Sequence, residues 1–88
     1  MGGKWKWAIL WYIYKDDVIR YSKLKNQLKS IADKTLSQQL KELEENQIIH
    51  REQYNQIPPR VEYSLTENGK TLIPIIELMA KWGKNYID

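Results

Sequence analysis

Leucine recurs at helical spacing between residues 33 and 47. Leu36, Leu40 and Leu43 are separated by four and then three positions, so they fall on one stripe of a helix. The opposite side of that helix is polar and contains Lys34, Gln38, Lys41 and Glu45. The pattern predicts an amphipathic helix over residues 33–47, packed through its leucines and capped at its N-terminus by Asp33.

A different pattern, alternation, follows this helix. Residues 60–65 alternate between polar and apolar side chains, as expected for a strand with one buried face, and residues 48–54 form a second arm. Pro58 and Pro59 stiffen the connection because proline cannot donate a ladder hydrogen bond. The pattern predicts a two-stranded hairpin over residues 48–65, which we call the wing.

Three further elements precede the leucine helix. Residues 4–15 are apolar around most of a helical circumference, which predicts a helix that is covered on several sides. Residues 18–20 predict a short strand. The next apolar stripe consists of Leu24, Leu28 and Ile31. It predicts a second helix that joins the leucine helix through a short turn, and two helices connected in this way form a helix-turn-helix.

The last apolar stripe follows Thr66, which is predicted to cap a helix that runs to about Tyr86 with a bend at Pro74. This helix and the helix over residues 4–15 contain more apolar surface than a small domain needs. They therefore predict a two-fold symmetric homodimer. The predicted dimer interface consists of Trp5, Trp11, Ile75, Met79, Trp82 and Tyr86. The alternative is that both helices fold back on the monomer.

The tryptophans allow a second hypothesis for the same region. They are Trp5, Trp7, Trp11 and Trp82. An aromatic-lined crevice at the dimer interface would suit a small planar effector. The alternative, simple core packing, is favoured because aromatic side chains at helical spacing usually belong to a core.

In chain order, these elements predict an α+β, mainly α fold: a winged helix-turn-helix with a two-stranded wing and a C-terminal dimerisation helix. The chain has 88 residues, which predicts a single domain over residues 1–88. Its formal net charge is +3, but between residues 20 and 41 six lysines and arginines accompany only Asp33. Such a cationic patch favours a nucleic-acid partner, and the alternative is an ordinary solvated charged face.

The predicted DNA contacts combine the polar side of the leucine helix with neighbouring cations. The helix offers hydroxyl, amide and ammonium groups that reach base edges and phosphates: Lys34, Thr35, Ser37, Gln38 and Lys41. Further cations are expected to neutralise phosphates: Arg20, Lys23, Lys25 and Arg60. Because the C-terminal half of the helix is acidic, only its first two turns are expected to enter a groove. The alternative function is a winged-helix protein–protein interaction module that does not bind DNA.

No pattern predicts an enzyme, a cofactor or a metal site. The chain has no glycine-rich phosphate loop and no nucleophile–base pair, and His50 has no ligands at metal-binding spacing. It contains no cysteine, which excludes disulfides and thiol nucleophiles from this span. The apolar run over residues 5–14 is shorter than the ~20 residues of a membrane span. A cytoplasmic protein is therefore expected.

Several strings in the chain together resemble one family. They are Gly2–Trp5, Tyr21–Leu24, Asp33–Glu44 and Ile57–Gly69. The leucine helix alone is a weak signature, but combined with the string PPRVEYSLTENG of the wing it closely resembles the HxlR family of bacterial and archaeal transcriptional regulators, relatives of the MarR type. The resemblance spans nearly the whole chain.

This resemblance implies a homodimer that binds palindromic or repeated operators and controls genes for detoxification, stress or redox response. It also implies DNA contacts at the same helix positions and at Arg60 in the wing. Family members usually have an additional N-terminal helix before the string that starts at Gly2, and their redox sensors use a cysteine. Because this span has no cysteine, thiol sensing is not expected from it.

Overall fold

The computed structural model describes residues 2–83, with side chains described for residues 5–82. Tyr86, predicted at the dimer interface, lies outside the described residues. The elements in order are α1 (Gly2–Asp16), β1 (Val18–Arg20), α2 (Tyr21–Gln27), α3 (Asp33–Glu45), β2 (Ile49–Tyr54), β3 (Arg60–Leu65), α4 (Glu67–Lys70) and α5 (Ile73–Gly83). This is the predicted winged helix-turn-helix, mainly helical with a small antiparallel sheet.

Helix α1 lies at the centre of the hydrophobic core. Ile9 and Ile13 are completely buried, and the helix contacts α2, α3, α5, β1 and β3. The expectation that a helix apolar on several sides must be covered on several sides is confirmed. The neighbouring elements contribute one or more buried side chains each, including Ile19, Leu24, Leu28, Ile31, Leu36, Leu40, Leu43, Ile49, Tyr63 and Ile76.

The helix-turn-helix forms where the leucine pattern predicts it. The turn between α2 and α3 contains Lys29 in the left-handed region, with a φ of 36°. The predicted cap was wrong in one respect, because Ala32 occupies the N-cap position of α3 and Asp33 is the first helical residue. The Asp33 carboxylate instead lies 3.7 Å from the Lys25 ammonium and accepts a hydrogen bond from the Tyr21 hydroxyl at 3.5 Å. These contacts hold α2 and α3 together at the start of α3.

The sheet has three strands in the order β1-β3-β2, and both pairings are antiparallel. The predicted hairpin is confirmed, with Ile49 opposite Leu65 at its base and Tyr54 opposite Arg60 near its tip. Strand β1 adds a third member on the far side of β3, with Arg20 opposite Glu62. Because side chains alternate across a strand, this register decides which wing residues face the helices.

The base of the wing is joined to α4 by a tight contact. The Thr66 side chain caps α4 by accepting a hydrogen bond from the Gly69 amide at 2.9 Å, as predicted for Thr66. Its hydroxyl also lies 2.6 Å from the Gln47 carbonyl oxygen, to which it donates. A Cβ atom at Gly69 would lie only 2.0 Å from the Ile48 carbonyl oxygen, so this position requires glycine.

The C-terminal region contains two helices where the sequence predicts one bent helix from Thr66 to about Tyr86. The first of them, α4, ends at Lys70, and the second, α5, begins at Ile73. Pro74 explains the break, because its ring would clash with the Lys70 carbonyl if one helix continued through it. In the second helix Pro74 lies in the first turn, where its missing amide hydrogen needs no partner.

Candidate nucleic-acid interface

The outer face of α3 is polar and exposed. Lys34, Ser37, Gln38 and Lys41 are all exposed, whereas Thr35 is half-buried at the edge of this face. The face points outward because Leu36, Leu40 and Leu43 on the opposite stripe are almost completely buried in the core. Four of the five predicted helix contacts are therefore presented to solvent, with an amide and two ammonium groups one helical turn apart.

A groove of about 610 Å³ separates α3 from the wing. It is lined by Arg20, Tyr21, Ser22, Ser37, Leu40, Lys41, Glu44, Arg51, Pro59, Arg60, Val61 and Tyr63. From the predicted DNA-contacting set, the groove brings together Arg20, Ser37, Lys41 and Arg60. The other predicted residues do not line it: Lys23, Lys25, Lys34, Thr35 and Gln38. The predicted set therefore divides between the groove and the surfaces beside it.

Two of the predicted phosphate contacts form ion pairs within the chain. The Lys23 ammonium lies 2.7 Å from the Asp16 carboxylate at the end of α1, and the Lys25 ammonium lies 3.7 Å from that of Asp33. Exposed pairs of this kind contribute about 0–1 kcal/mol, so a phosphate can compete for either lysine. To contact a phosphate, Lys23 would have to separate from Asp16 and Lys25 from Asp33. This separation would reduce what each lysine could contribute to DNA binding.

The remaining cations of the predicted set differ in how they are held. Among the residues that the structure describes, no carboxylate pairs with Arg20, Lys34 or Lys41. Arg60 is held in place, because its guanidinium lies 4.5 Å from the centre of the Tyr54 ring and its Nε lies 3.3 Å from a Glu62 oxygen. The guanidinium therefore has a defined position at the wing side of the groove.

The C-terminal half of α3 is less uniformly acidic than the sequence indicates. Glu42 pairs with Lys6 of α1 at 2.9 Å, which neutralises it and directs it away from the groove. Glu44 lines the groove, and Glu45 is exposed without lining it. Glu44 is therefore the acidic residue of α3 that would repel an anion bound in the groove.

The predicted DNA-contacting set leaves out several polar residues that line the groove, among them Arg51 and Tyr63. Arg51 stands opposite Tyr63 in the β2–β3 register, and its guanidinium donates a hydrogen bond to the Gln53 side chain at 3.0 Å. The pKa of the Tyr63 phenol is raised, because the effect of burial exceeds the opposing effect of the hydrogen bond and positive charge of Arg51. The alternation Ile49, Arg51, Gln53 is the signal that could have placed Arg51 on the helix-facing side of the wing.

A second uncovered surface lies on α5. Its exposed apolar side chains are Ile75 at 44%, Leu78 at 55%, Met79 at 36% and Trp82 at 64%. Three of them belong to the predicted dimer interface, and Leu78 is an addition. On α1, the predicted interface residues Trp5 and Trp11 are half-buried and pack against the core, as does Trp7.

Helix α5 is docked on α1 through a polar contact on its other side. The Tyr14 hydroxyl donates a hydrogen bond to the Glu77 carboxylate at 2.5 Å. This hydrogen bond is the main cause of a raised pKa for the Tyr14 phenol. Ile76, on the inner side of the same helix, is almost completely buried. Together these contacts fix the rotation of α5, so that its apolar stripe faces away from the core.

Metal-binding groups of side chains and membrane-spanning helices are both absent from the part of the chain that the structure describes. Within residues 2–83, no group of three histidine or carboxylate side chains is arranged to hold a metal ion. His50, the single histidine, lies 2.9 Å from the Glu52 carboxylate on an exposed strand. None of the helices in this range has both the length and the apolar character needed to cross a membrane.

Comparisons with known proteins agree with this architecture. A sequence profile of the HxlR-like helix-turn-helix family matches residues 1–88. MalR of Fusobacterium mortiferum, a protein named for a regulatory role, is 51% identical over 84 residues, which are 96% of this chain and 79% of MalR. YybR of Bacillus subtilis, an uncharacterized HTH-type transcriptional regulator, is 48% identical over 88 residues, which are 100% of this chain and 70% of YybR.

Solved structures give the same result. The redox regulator HypR in its oxidized form superposes on this chain with a TM-score of 0.84 at 43% sequence identity. The superposition covers 96% of this chain and 86% of HypR.

Proposed function

This chain belongs to the HxlR-like helix-turn-helix family of DNA-binding transcriptional regulators, and we propose that it acts as a homodimer whose two α3 helices enter successive major grooves. The observation behind the proposal is the orientation of α3, whose leucines are buried and whose Lys34, Ser37 and Gln38 are exposed. We also propose that residues 1–88 form one domain, because a single core includes side chains from α1 to α5.

The proposed reading of DNA assigns each exposed group a role by its chemistry. The Gln38 amide can bind adenine through two hydrogen bonds, and Lys34 or Lys41 can reach guanine acceptors or phosphates. Thr35 and Ser37 offer hydroxyls to bases or phosphates. The remaining cations contact phosphates: Arg20, Lys23, Lys25 and Arg60. The wing lies against the DNA backbone or a minor groove.

The proposed dimer uses the apolar stripe of α5. Four large apolar side chains exposed on one side of a short helix are unusual for a monomer and typical of a subunit interface. A two-fold axis through α5 would pair this stripe with its own copy, with Trp5, Trp11 and Tyr86 as the other proposed interface residues. In such a dimer the two α3 helices would be held about 34 Å apart, one turn of DNA.

The signal and the regulated genes are proposed from the family alone. Control of stress or detoxification genes in the cytoplasm is what membership implies. HypR is a redox regulator, whereas residues 1–88 of this chain contain no cysteine. A planar effector in a crevice lined by Trp5, Trp7, Trp11 and Trp82 is the alternative to core packing of these side chains, and core packing is favoured because Trp5, Trp7 and Trp11 pack against the core. Such an effector would change tryptophan fluorescence when the protein is titrated with quinones or aldehydes.

Selection of duplexes from a random pool tests this function. We expect enrichment of a two-fold symmetric site whose half-sites are centred about 10 base pairs apart. Binding should also fall steeply as salt rises. The matched control is Gln38→Ala, which should still bind DNA but enrich a less defined site. A chain that shifts no duplex at low salt would contradict DNA binding, and enrichment of isolated half-sites would contradict the dimer.

A further inference from the structure

We infer that the groove between α3 and the wing holds the sugar–phosphate backbone of one DNA strand, and that Arg51 is a phosphate contact on its floor. The inference rests on the proposed function, because it requires α3 to face DNA. It adds a residue that is absent from the predicted DNA-contacting set. It also gives the wing a defined role, which is to close the groove over one strand.

The sheet register directs Arg51 into the groove. Ile49 lies on the same side of β2, two positions before Arg51, and is almost completely buried against the helices. Arg51 therefore also points toward the helices, yet it is exposed and lines the groove between the wing and α3. Its partner across the strands, Tyr63, forms the neighbouring part of the groove wall.

The charge on Arg51 is not neutralised by its hydrogen-bond partner. Its guanidinium donates to the neutral amide oxygen of Gln53, so the positive charge stays available for an anion. A guanidinium has a planar set of donors that binds phosphate oxygens in pairs. Arg20 and Lys41, which pair with no described carboxylate, line the same groove against the carboxylate of Glu44. Arg60 also lines it, but its guanidinium is paired with Glu62.

Continuity with α3 favours a DNA strand over a small anion as the occupant. Ser37 and Lys41 line the groove and also belong to the exposed face of α3. A duplex that touches this face would therefore pass one strand along the groove. Ser22 and Ser37 provide hydroxyl donors on the helix side, and side-chain hydroxyls are common partners of DNA phosphates.

The salt dependence of DNA binding tests this role of Arg51. Arg51→Gln removes one charge while keeping a polar side chain, and it should weaken binding to a mixed-sequence duplex about tenfold. The slope of log K against log salt should become shallower by ~0.9. The matched control is Lys70→Gln, which also removes one charge but lies beyond the end of β3 opposite the wing tip. Lys70→Gln should leave the slope unchanged.

Equal slopes for wild type and Arg51→Gln would overturn the inference, and the proposed function would still stand if Gln38→Ala weakened binding. Arg51→Lys is the second variant, and it should keep the wild-type slope because its charge remains. A shallower slope for Arg51→Lys would also overturn the inference. Inorganic phosphate at constant ionic strength should displace DNA no better than chloride. Stronger displacement by phosphate would assign the groove to a small anion.

Discussion

Helices α3 and α5 expose side chains at identical spacing but with opposite chemistry. On each helix, four of the exposed residues follow the order i, i+3, i+4 and i+7, which is one side of a helix. On α3 they are Lys34, Ser37, Gln38 and Lys41, and on α5 they are Ile75, Leu78, Met79 and Trp82. Helix geometry alone therefore explains which residues remain outside the core, and their chemistry indicates the partner of each face.

The two faces gain free energy from their partners in different ways. The apolar face of α5 is stabilised when it leaves water, by about 25 cal/mol for each Å² buried. The polar face of α3 is already well hydrated and gains little from burial. In the proposed complex, its binding depends on releasing counterions from DNA and on hydrogen bonds to base edges. High salt should therefore separate the two interactions, weakening the DNA complex more than the dimer.

The largest effect is expected on α5. Leu78→Asp places a charge in the apolar stripe and should weaken dimerisation by about 2–4 kcal/mol, as substitutions in the centre of an interface do. The measurement is the dimer dissociation constant from analytical ultracentrifugation. The control is Lys81→Asp, which introduces the same side chain on the same helix at an exposed polar position. Similar dissociation constants for the two variants would show that the stripe is not the subunit interface.

The next effect is expected on the polar face of α3. Gln38→Ala should weaken binding to the selected operator by about 1–3 kcal/mol and relax the preference at one base pair. Gln27→Ala removes an exposed glutamine from the end of α2 and serves as the control. The measurement is competition binding against operators altered one base pair at a time. If Gln38→Ala retained full discrimination, the amide would not be reading a base.

A smaller effect, of opposite sign, is expected in the groove. Glu44→Gln removes the carboxylate that faces the bound strand and should tighten binding to every duplex by about two- to fivefold. Glu45→Gln removes the adjacent exposed carboxylate, which does not line the groove, and should change binding less. Gel shifts with mixed-sequence duplexes measure both variants. Identical affinities for the two would mean that the groove does not hold the backbone.

The smallest effect concerns the contact that orients α5. The pKa of the Tyr14 phenol is raised above its ordinary value of 10.0, chiefly by its hydrogen bond to Glu77. The folded state thus holds the proton more tightly, so this stabilisation is complete below pH 10.0 and is lost as the pH rises through the raised pKa. Tyr14→Phe should be slightly less stable at neutral pH and lose less stability at high pH. Urea unfolding of the wild type and of Tyr14→Phe, at neutral and at high pH, measures the free energy of unfolding. If both proteins lost the same amount of stability between the two pH values, the prediction would be contradicted.

Local periodicity explains most of what could be predicted from the sequence. The stripe of α3 and the alternation of β3 each involve neighbouring residues, and both elements lie within two residues of their predicted ends. The break before α5 was missed because the apolar spacing continues through Leu72 and Ile76 on both sides of it. Pro74 indicated a disturbance but not whether the helix would bend or stop.

Features that depend on distant pairing could not be predicted in this way. Strand β1 has three residues, and its pairing with β3 joins positions more than 40 residues apart, as for Arg20 and Glu62. The ion pair between Lys23 and Asp16 likewise depends on how α1 and α2 meet. Alternation along β2 could have placed Arg51 on the helix-facing side of the wing, but its pairing with Tyr63 in the groove wall depends on the register between β2 and β3.

The contact at Gly69 has a mechanical consequence for the regulator. The backbone of α4 touches the Ile48 carbonyl with no space for a side-chain carbon between them, and the Thr66 hydroxyl bonds to the Gln47 carbonyl beside it. Helix α4 and the base of the hairpin are therefore held directly against each other. In the proposed dimer, a rotation of one subunit against its mate would therefore carry the base of its hairpin along, and the spacing of the two bound half-sites would depend on how the subunits dock.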